Sequence, residues 1–135
     1  MRPVTLRRVI SRAFAAAALL ATAAYVPTSA HADDIAVKIG VLSDMSSLYA
    51  DNTGPGSLVA AQMAVKDFNP AAHGMKVEIV SADHLNKPDV GSNIARQWFD
   101  VDHVDAILDV PNSGVALAVN EVVREKNKVF LVSGA

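Results

Sequence analysis

The feature that most constrains the fold is a regular alternation of short apolar runs with amphipathic stretches after residue 33. The apolar runs predict strands and the amphipathic stretches predict helices. The predicted strands are Ala36–Ser43, Lys76–Ser81, Val104–Val110 and Val129–Val132, and the predicted helices are Ser57–Asn69, Pro88–Asp100 and Gly114–Asn127. Strands joined through helices form parallel sheets with right-handed crossovers. We therefore expect a doubly wound α/β domain with strand order 2-1-3-4.

Each predicted helix has an apolar stripe that should face the sheet. Pro70 should end the first helix, and Pro88 suits the first turn of the second helix. The stripes are Leu58, Ala61, Val65 and Phe68; then Ile94, Ala95, Trp98 and Phe99; then Val115, Val119, Val122 and Val123.

The first 32 residues have the features of a secretory signal peptide. Four arginines flank or precede the apolar stretch Ala13–Ala24, and Ala30-His31-Ala32 is an A-x-A site that predicts cleavage after Ala32. The apolar stretch is shorter than the roughly 20 residues of a membrane-spanning helix. We expect export to the periplasm, no membrane insertion after cleavage, and a domain covering residues 33–135. The chain has no cysteine for lipid attachment or for a disulfide.

The charge balance argues against nucleic acid as a partner. Cleavage would remove four of the 12 basic residues and none of the 14 acidic ones, which leaves a net charge of about −6. The remaining Lys and Arg residues are scattered and form no basic stripe, although nucleic-acid binding rewards clustered cations.

No motif in the chain predicts catalysis or a cofactor. Neither G-x-x-x-x-G-K-[ST] nor G-x-G-x-x-G occurs, and an exported domain has little access to ATP or NAD. His73, His84 and His103 stand singly in loops or at element ends, without the spacing of metal ligands. We expect a binding module with no enzyme activity, no metal and no cofactor.

The ligand should lie outside the carboxyl ends of the strands, near the point where the strand order reverses. The loop after the first strand holds Ser46 and Tyr49. The Tyr49 ring could cover an apolar ligand tail, or it could cover apolar residues of its own loop. Gly54-Pro55-Gly56 could direct free helix amides at an anion, although ordinary turn glycines give the same pattern.

The segment after the third strand, Pro111-Asn112-Ser113-Gly114, opens the third helix. Ser113 suits an N-cap, and the same hydroxyl with free helix-terminal amides also suits a carboxylate. Ser133, after the fourth strand, should face the same crevice, and the carbonyl groups at that strand end suit an ammonium group.

Together these segments resemble the leucine/isoleucine/valine-type periplasmic binding proteins, the substrate-binding subunits of branched-chain amino acid ABC importers. The resemblance covers essentially all of residues 33–135. It rests on Ile39–Ser46 followed by Tyr49, Gly54–Gly56, Ala60–Val65, Ser81–His84, Asn86–Pro88, Asp105–Ile107, Pro111–Ala118 and Val129–Ala135. It implies a type I periplasmic-binding-protein-like, Rossmann-like lobe that binds a small molecule and docks on an ABC permease.

The resemblance also implies roles for individual residues. Tyr49 would pack near the ligand side chain, Ser113 and the neighbouring amides would hold a carboxylate, and Ala135 would meet an ammonium group. Ser46, Asn112, Gly114 and Ser133 complete the expected ligand-binding set. At Gly114 the family often has a second serine or threonine, so this chain keeps the amide there and lacks the hydroxyl. Some members of the family bind amides, urea or aromatic acids.

Family members also have a second lobe that closes over the ligand, and we expect this lobe to be missing from these 135 residues. The chain is thus expected to be the amino-terminal part of such a protein, either as a piece of a longer product or as a truncated, inactive copy. A ligand-sensing receptor domain of the same fold is the alternative function.

Overall fold

The structure, a computed structural model, describes residues 34–135. The predicted signal peptide and its cleavage after Ala32 lie outside these residues. The elements are β1 (Ile35–Ser43), α1 (Gly54–Phe68), a 3₁₀ turn (Pro70–His73), β2 (Met75–Asp83), α2 (Pro88–Asp100), β3 (Ala106–Asp109), α3 (Ser113–Lys126) and β4 (Val129–Val132). None of the helices in residues 34–135 has the length and apolar character needed to cross a membrane.

The four strands form one parallel sheet in the order β2-β1-β3-β4, which confirms the predicted topology. In this order β1 lies centrally and pairs with both β2 and β3. The carboxyl ends of all four strands therefore meet at one edge of the sheet. We call this edge, with the loops that follow the strands, the carboxyl rim.

One face of the sheet is covered by α2 and α3, and most of the apolar core lies there. Leu42 and Ile107 project from the sheet into this core and are fully buried. Trp98 of α2 packs closely against β1 at Gly40, where a Cβ would lie only 2.3 Å from the Trp98 ring. The stripes predicted for the second and third helices are confirmed, with Ile94 only partly buried.

The opposite face is covered by α1 alone and is less complete. Only Gly54 of α1 is fully buried, while Leu58, Ala61 and Val65 are partly buried. The prediction that Phe68 faces inward is wrong, because the ring is half-exposed and stacks on His73 at a centroid distance of 4.7 Å. At the β4 edge Leu131 is 59% exposed, so this end of the sheet is also open.

Three predicted boundaries differ from the structure for local reasons. The first helix begins at Gly54 rather than Ser57, because the amides of Gly56 and Ser57 already donate to the Thr53 carbonyl, at 3.0 and 3.3 Å. The third strand begins at Ala106 rather than Val104, because the Asp105 carboxylate accepts the Lys38 amide at 2.9 Å in place of a backbone carbonyl. It ends at Asp109 because the backbone turns into the left-handed region there.

The remaining differences are small. The second strand runs from Met75 to Asp83 rather than from Lys76 to Ser81, in register with the whole of β1. The first and third helices end one residue before the predicted Asn69 and Asn127, and both asparagines are left-handed C-caps.

Candidate functional site

The loop between β1 and α1 is shaped by a buried carboxylate. Asp44 is fully buried, and its oxygens accept the amides of Ser47 and Tyr49, each at 2.9 Å. The Ser47 hydroxyl adds a further bond at 2.7 Å. Burial opposes ionisation of Asp44, but these hydrogen bonds outweigh it and lower its pKa. The backbone of Tyr49 is therefore held in place, and its side chain is half-buried.

A second carboxylate ties this loop to the end of β2. Asp83 accepts the amides of Met45 at 3.1 Å and Leu85 at 2.7 Å, and it accepts the hydroxyl of Ser46 at 2.5 Å. Burial raises the pKa of Asp83, and the bonds from Ser46, Leu85 and Met45 lower it by more. Ser46 is a predicted ligand-binding residue, and its hydroxyl proton is thus donated to Asp83 of the protein itself.

His84 is the main residue at the rim that the sequence reasoning missed. The sequence places it among three single histidines in loops or at element ends, yet its side chain is fully buried. Its Nδ1 accepts the Asn86 amide at 3.0 Å, which places the proton of the neutral ring on Nε2, and Nε2 has no partner within residues 34–135. Burial lowers the pKa of His84, and the carboxylates of Asp44, Asp83 and Asp109 partly offset this. Nothing in the local sequence signals this burial.

A third carboxylate joins three strand ends. Asp109 is 5% exposed and accepts the hydroxyls of Ser43, at 2.6 Å, and of Ser133. Ser43 Oγ in turn accepts the Gly54 amide at 3.0 Å. The hydroxyl of Ser133, another predicted ligand-binding residue, therefore points to Asp109.

The first turn of α1 offers no anion site, so that part of the prediction is wrong. The Gly54 amide is bonded to Ser43, Pro55 has no amide hydrogen, and the Gly56 amide donates to the Thr53 carbonyl at 3.0 Å. The glycine at position 54 instead serves close approach, since a Cβ there would lie 2.6 Å from the Asp44 carbonyl oxygen.

The start of α3 keeps two unpaired donors. The N-cap is Asn112, whose side chain accepts the Val115 amide at 2.9 Å, so the alternative that Ser113 caps the helix is wrong. Ser113 is the first helical residue and is exposed, as is Gly114. Within residues 34–135 neither of their amides has a hydrogen-bond partner. These amides lie at the positive end of the helix dipole and suit a carboxylate.

The predicted site residues gather along the carboxyl rim, but not around one enclosed cavity. Ser113, Phe130 and Ala135 are among the residues that line a hollow of about 420 Å³ on the α3 side of β4. Ser133 lines a second hollow of about 330 Å³ on the α1 side, so Ser133 and Ser113 do not share one hollow as the sequence predicts. Tyr49, Ser46, Asn112 and Gly114 line neither hollow.

Comparison with known proteins gives a consistent family and fold. The family described as "Periplasmic binding protein" matches residues 36–135. No match was found among curated proteins. Two solved structures share close to half of their aligned residues with this chain. A periplasmic binding protein from Burkholderia mallei is 46% identical over 76% of this chain, with a TM-score of 0.70.

The second structure is a branched-chain amino acid ABC transporter periplasmic ligand-binding protein from Burkholderia xenovorans. It is 52% identical over 73% of this chain, with a TM-score of 0.70. A branched-chain amino acid transporter substrate-binding protein from Streptococcus pneumoniae, solved with isoleucine, is 22% identical over 74% of this chain and shares the fold at a TM-score of 0.67. The chain spans 27%, 26% and 29% of the lengths of these three proteins, respectively.

Proposed function

The chain belongs to the periplasmic binding protein family, and from this premise we propose that it is the amino-terminal part of an extracytoplasmic solute-binding component of an ABC importer. Its solute is an amino acid or a related small carboxylate. The wider family extends the candidates to amides and aromatic acids. The proposal includes a cleaved signal over residues 1–32, a periplasmic location, and a permease in the inner membrane as the partner.

The observation that carries the proposal is the pair of unpaired amides at the start of α3. Helix α3 is 14 residues long, and Asn112 caps it without using the amides of Ser113 or Gly114. The Ser113 hydroxyl is exposed beside them. Two amides and one hydroxyl at the positive end of a helix dipole are a suitable set of hydrogen-bond donors for a carboxylate.

The remaining contacts follow from what the rim leaves available. The carboxylate oxygens of Asp44, Asp83 and Asp109 all accept hydrogen bonds from the protein itself. A solute ammonium group would therefore bind backbone carbonyls of Ser133 to Ala135 rather than a carboxylate. Tyr49, held through its backbone by Asp44, would cover the solute side chain, with Ser46 at the border of the site.

The direct test is a titration of the protein with a panel of solutes, namely L-leucine, L-isoleucine, L-valine, their amides and benzoate. Amide NMR spectra detect weak binding by residue, and calorimetry measures affinities tighter than about 1 mM. We expect the largest shifts at the amides of Ser113 and Gly114. A panel that leaves every rim amide unshifted would contradict solute binding.

Two substitutions at one position separate the amide from the hydroxyl. Ser113→Pro removes both groups and is compatible with the backbone, because proline suits the first helical position and Asn112 before it is extended (φ −90°, ψ 124°). Ser113→Ala removes the hydroxyl alone. We expect affinity to fall about 10- to 100-fold in Ser113→Pro and about 2- to 10-fold in Ser113→Ala.

Ser92→Ala is the matched control, because it also deletes a serine hydroxyl but lies on α2, where Ser92 donates to the Asp89 carbonyl at 3.1 Å. Its affinity should equal that of the unmodified protein. Equal affinity in Ser113→Pro would refute the proposed carboxylate contact.

A further inference from the structure

We propose that Asp109 is the positioning residue of the solute site: it sets the segment Ser133–Ala135 relative to the start of α3. This inference rests on the proposed function, because these two segments supply the expected solute contacts. Asp109 itself would not touch the solute. It acts through Ser133 on one side and through the chain that leads to Ser113 on the other.

The contacts of Asp109 reach both segments. Its Oδ1 accepts the Ser133 hydroxyl, and its backbone carbonyl accepts the Ser133 amide at 3.2 Å. Its Oδ2 accepts the Ser43 hydroxyl at 2.6 Å, which fixes the carboxylate against the end of β1. The segment after β4 is therefore bonded to Asp109 by both its backbone and its side chain. Along the chain, Asp109 stands only four residues before Ser113.

The hydroxyl of Ser133 has a single proton, and Asp109 receives it. Ser133 therefore cannot donate this proton to a solute while the bond is intact. Asp109 is 5% exposed, and both of its oxygens are occupied by hydroxyl donors. A buried carboxylate whose two oxygens both accept hydroxyl donors is well suited to hold neighbouring segments in place.

The backbone at Asp109 gives independent support. Asp109 and Val110 both have left-handed conformations, with φ of 82° and 54°. Residues other than glycine rarely adopt a left-handed backbone conformation, and a β-branched residue such as valine does so least often. Such conformations persist where the surrounding contacts over-determine them, and they cluster at functional segments. Here the pair turns the chain out of β3 toward Asn112 and Ser113, and the Val110 amide donates to the Leu42 carbonyl at 2.9 Å.

The two sides of the site are thus connected through one buried side chain. Loss of the Ser133–Asp109 bond should free the segment after β4 to move relative to the two amides of α3. A displacement of a few tenths of an ångström at such contacts weakens a charge-assisted hydrogen bond. Affinity should then fall without a direct solute contact having been removed.

The experiment compares Ser133→Ala, Ser133→Thr, Asp109→Asn and the Ser133→Ala/Asp109→Asn double variant in the full chain, with Ser92→Ala as the control. Threonine keeps the hydroxyl, so Ser133→Thr should restore what Ser133→Ala loses. The first measurement needs no solute: amide hydrogen exchange at Ser133 and Val115, relative to the core amide of Ile107. We expect the rate of amide hydrogen exchange at position 133 to rise about tenfold or more in Ser133→Ala and Asp109→Asn, and the rate at Ile107 to stay unchanged.

The second measurement is affinity for L-isoleucine and benzoate by NMR titration. We expect about a 5- to 20-fold loss in either single variant and no further loss in the double variant, because both changes break the same bond. Losses that multiply in the double variant would show that Ser133 contacts the solute directly and would overturn the proposal. Unchanged exchange at Ser133 in both single variants would also overturn it, as would exchange that rises equally at Ile107.

The two proposals fail in different ways. If neither probe shifts any rim amide of the unmodified protein, the proposed function fails, while the exchange comparison still decides whether Asp109 positions the segment. If Asp109→Asn does not fold, the comparison of Ser133→Ala with Ser133→Thr decides, since Ser133 is exposed at the end of an edge strand.

Discussion

Two glycines separated by one proline should respond in opposite directions to the same substitution. Gly54 has a φ of 48°, and a Cβ there would lie 2.6 Å from the Asp44 carbonyl oxygen. At Gly56 a Cβ would meet no atom within 4 Å. Both residues lie in the first turn of α1, so local sequence and exposure to the helix dipole are closely matched.

The expected magnitudes follow from these two environments. A left-handed backbone costs an L side chain about 1–2 kcal/mol, and the clash falls on a backbone atom that cannot rotate away. Overpacking of this kind adds about 1–3 kcal/mol, so we expect Gly54→Ala to lower the free energy of unfolding by about 2–5 kcal/mol. Gly56→Ala should raise it by about 0.5–1 kcal/mol, because alanine loses less backbone entropy in a helix.

Urea denaturation followed by the fluorescence of Trp98 measures both effects. Trp98 is the single tryptophan of the chain and is 7% exposed, so unfolding should shift its emission to the red. With a slope of about 1.5 kcal/mol/M, the midpoint should fall by about 1–3 M in Gly54→Ala and rise by about 0.3–0.7 M in Gly56→Ala. The reasoning is refuted if the two variants shift the midpoint in the same direction.

Three further predictions concern the carboxyl rim and the surface. Burial lowers the pKa of His84 in the folded chain, so the unfolded chain binds the proton first and the free energy of unfolding should fall as pH drops below about 6.5. Urea midpoints measured at pH 7.5 and 5.5 should therefore differ less in His84→Gln than in the unmodified protein. Asp44→Asn replaces a hydrogen-bond acceptor with a donor that faces a backbone amide, so it should lower the free energy of unfolding by about 2–3 kcal/mol and speed amide hydrogen exchange at Tyr49. Exchange at Tyr49 equal to that of the unmodified protein would argue against the role of Asp44. Arg96→Ala breaks an exposed 2.7 Å ion pair with Glu125 and should cost less than about 1 kcal/mol, so a larger loss would contradict the surface assignment.

Much of the fold could be predicted because the signals that define it are local. The apolar period along the second and third helices, with Pro88 at the start of α2, gave elements whose bounds match the structure closely. The alternation of strands and helices then restricted the topology to the order that is observed. The error at Phe68 arose because helical spacing shows which face is apolar but does not show whether the sheet provides a partner for it.

The candidate site was predicted less completely, because its bonds join residues that are distant in sequence. The sequence by itself determined that Ser46, Asn112, Ser113 and Ser133 would follow strand ends at one rim. Only the tertiary structure decided what their polar groups do. Ser43 and Asp109 are 66 positions apart and meet only because β1 and β3 are paired. His84 is buried where the end of β2 lies against the end of β1 and close to Gly91 of α2, with its amide bonded to the Ser43 carbonyl at 3.0 Å. The spacing of apolar residues is a property of each segment by itself. The hydrogen-bond partner of a buried hydroxyl or imidazole is determined only when the segments pack together, because an unpaired polar group in the interior is costly in free energy.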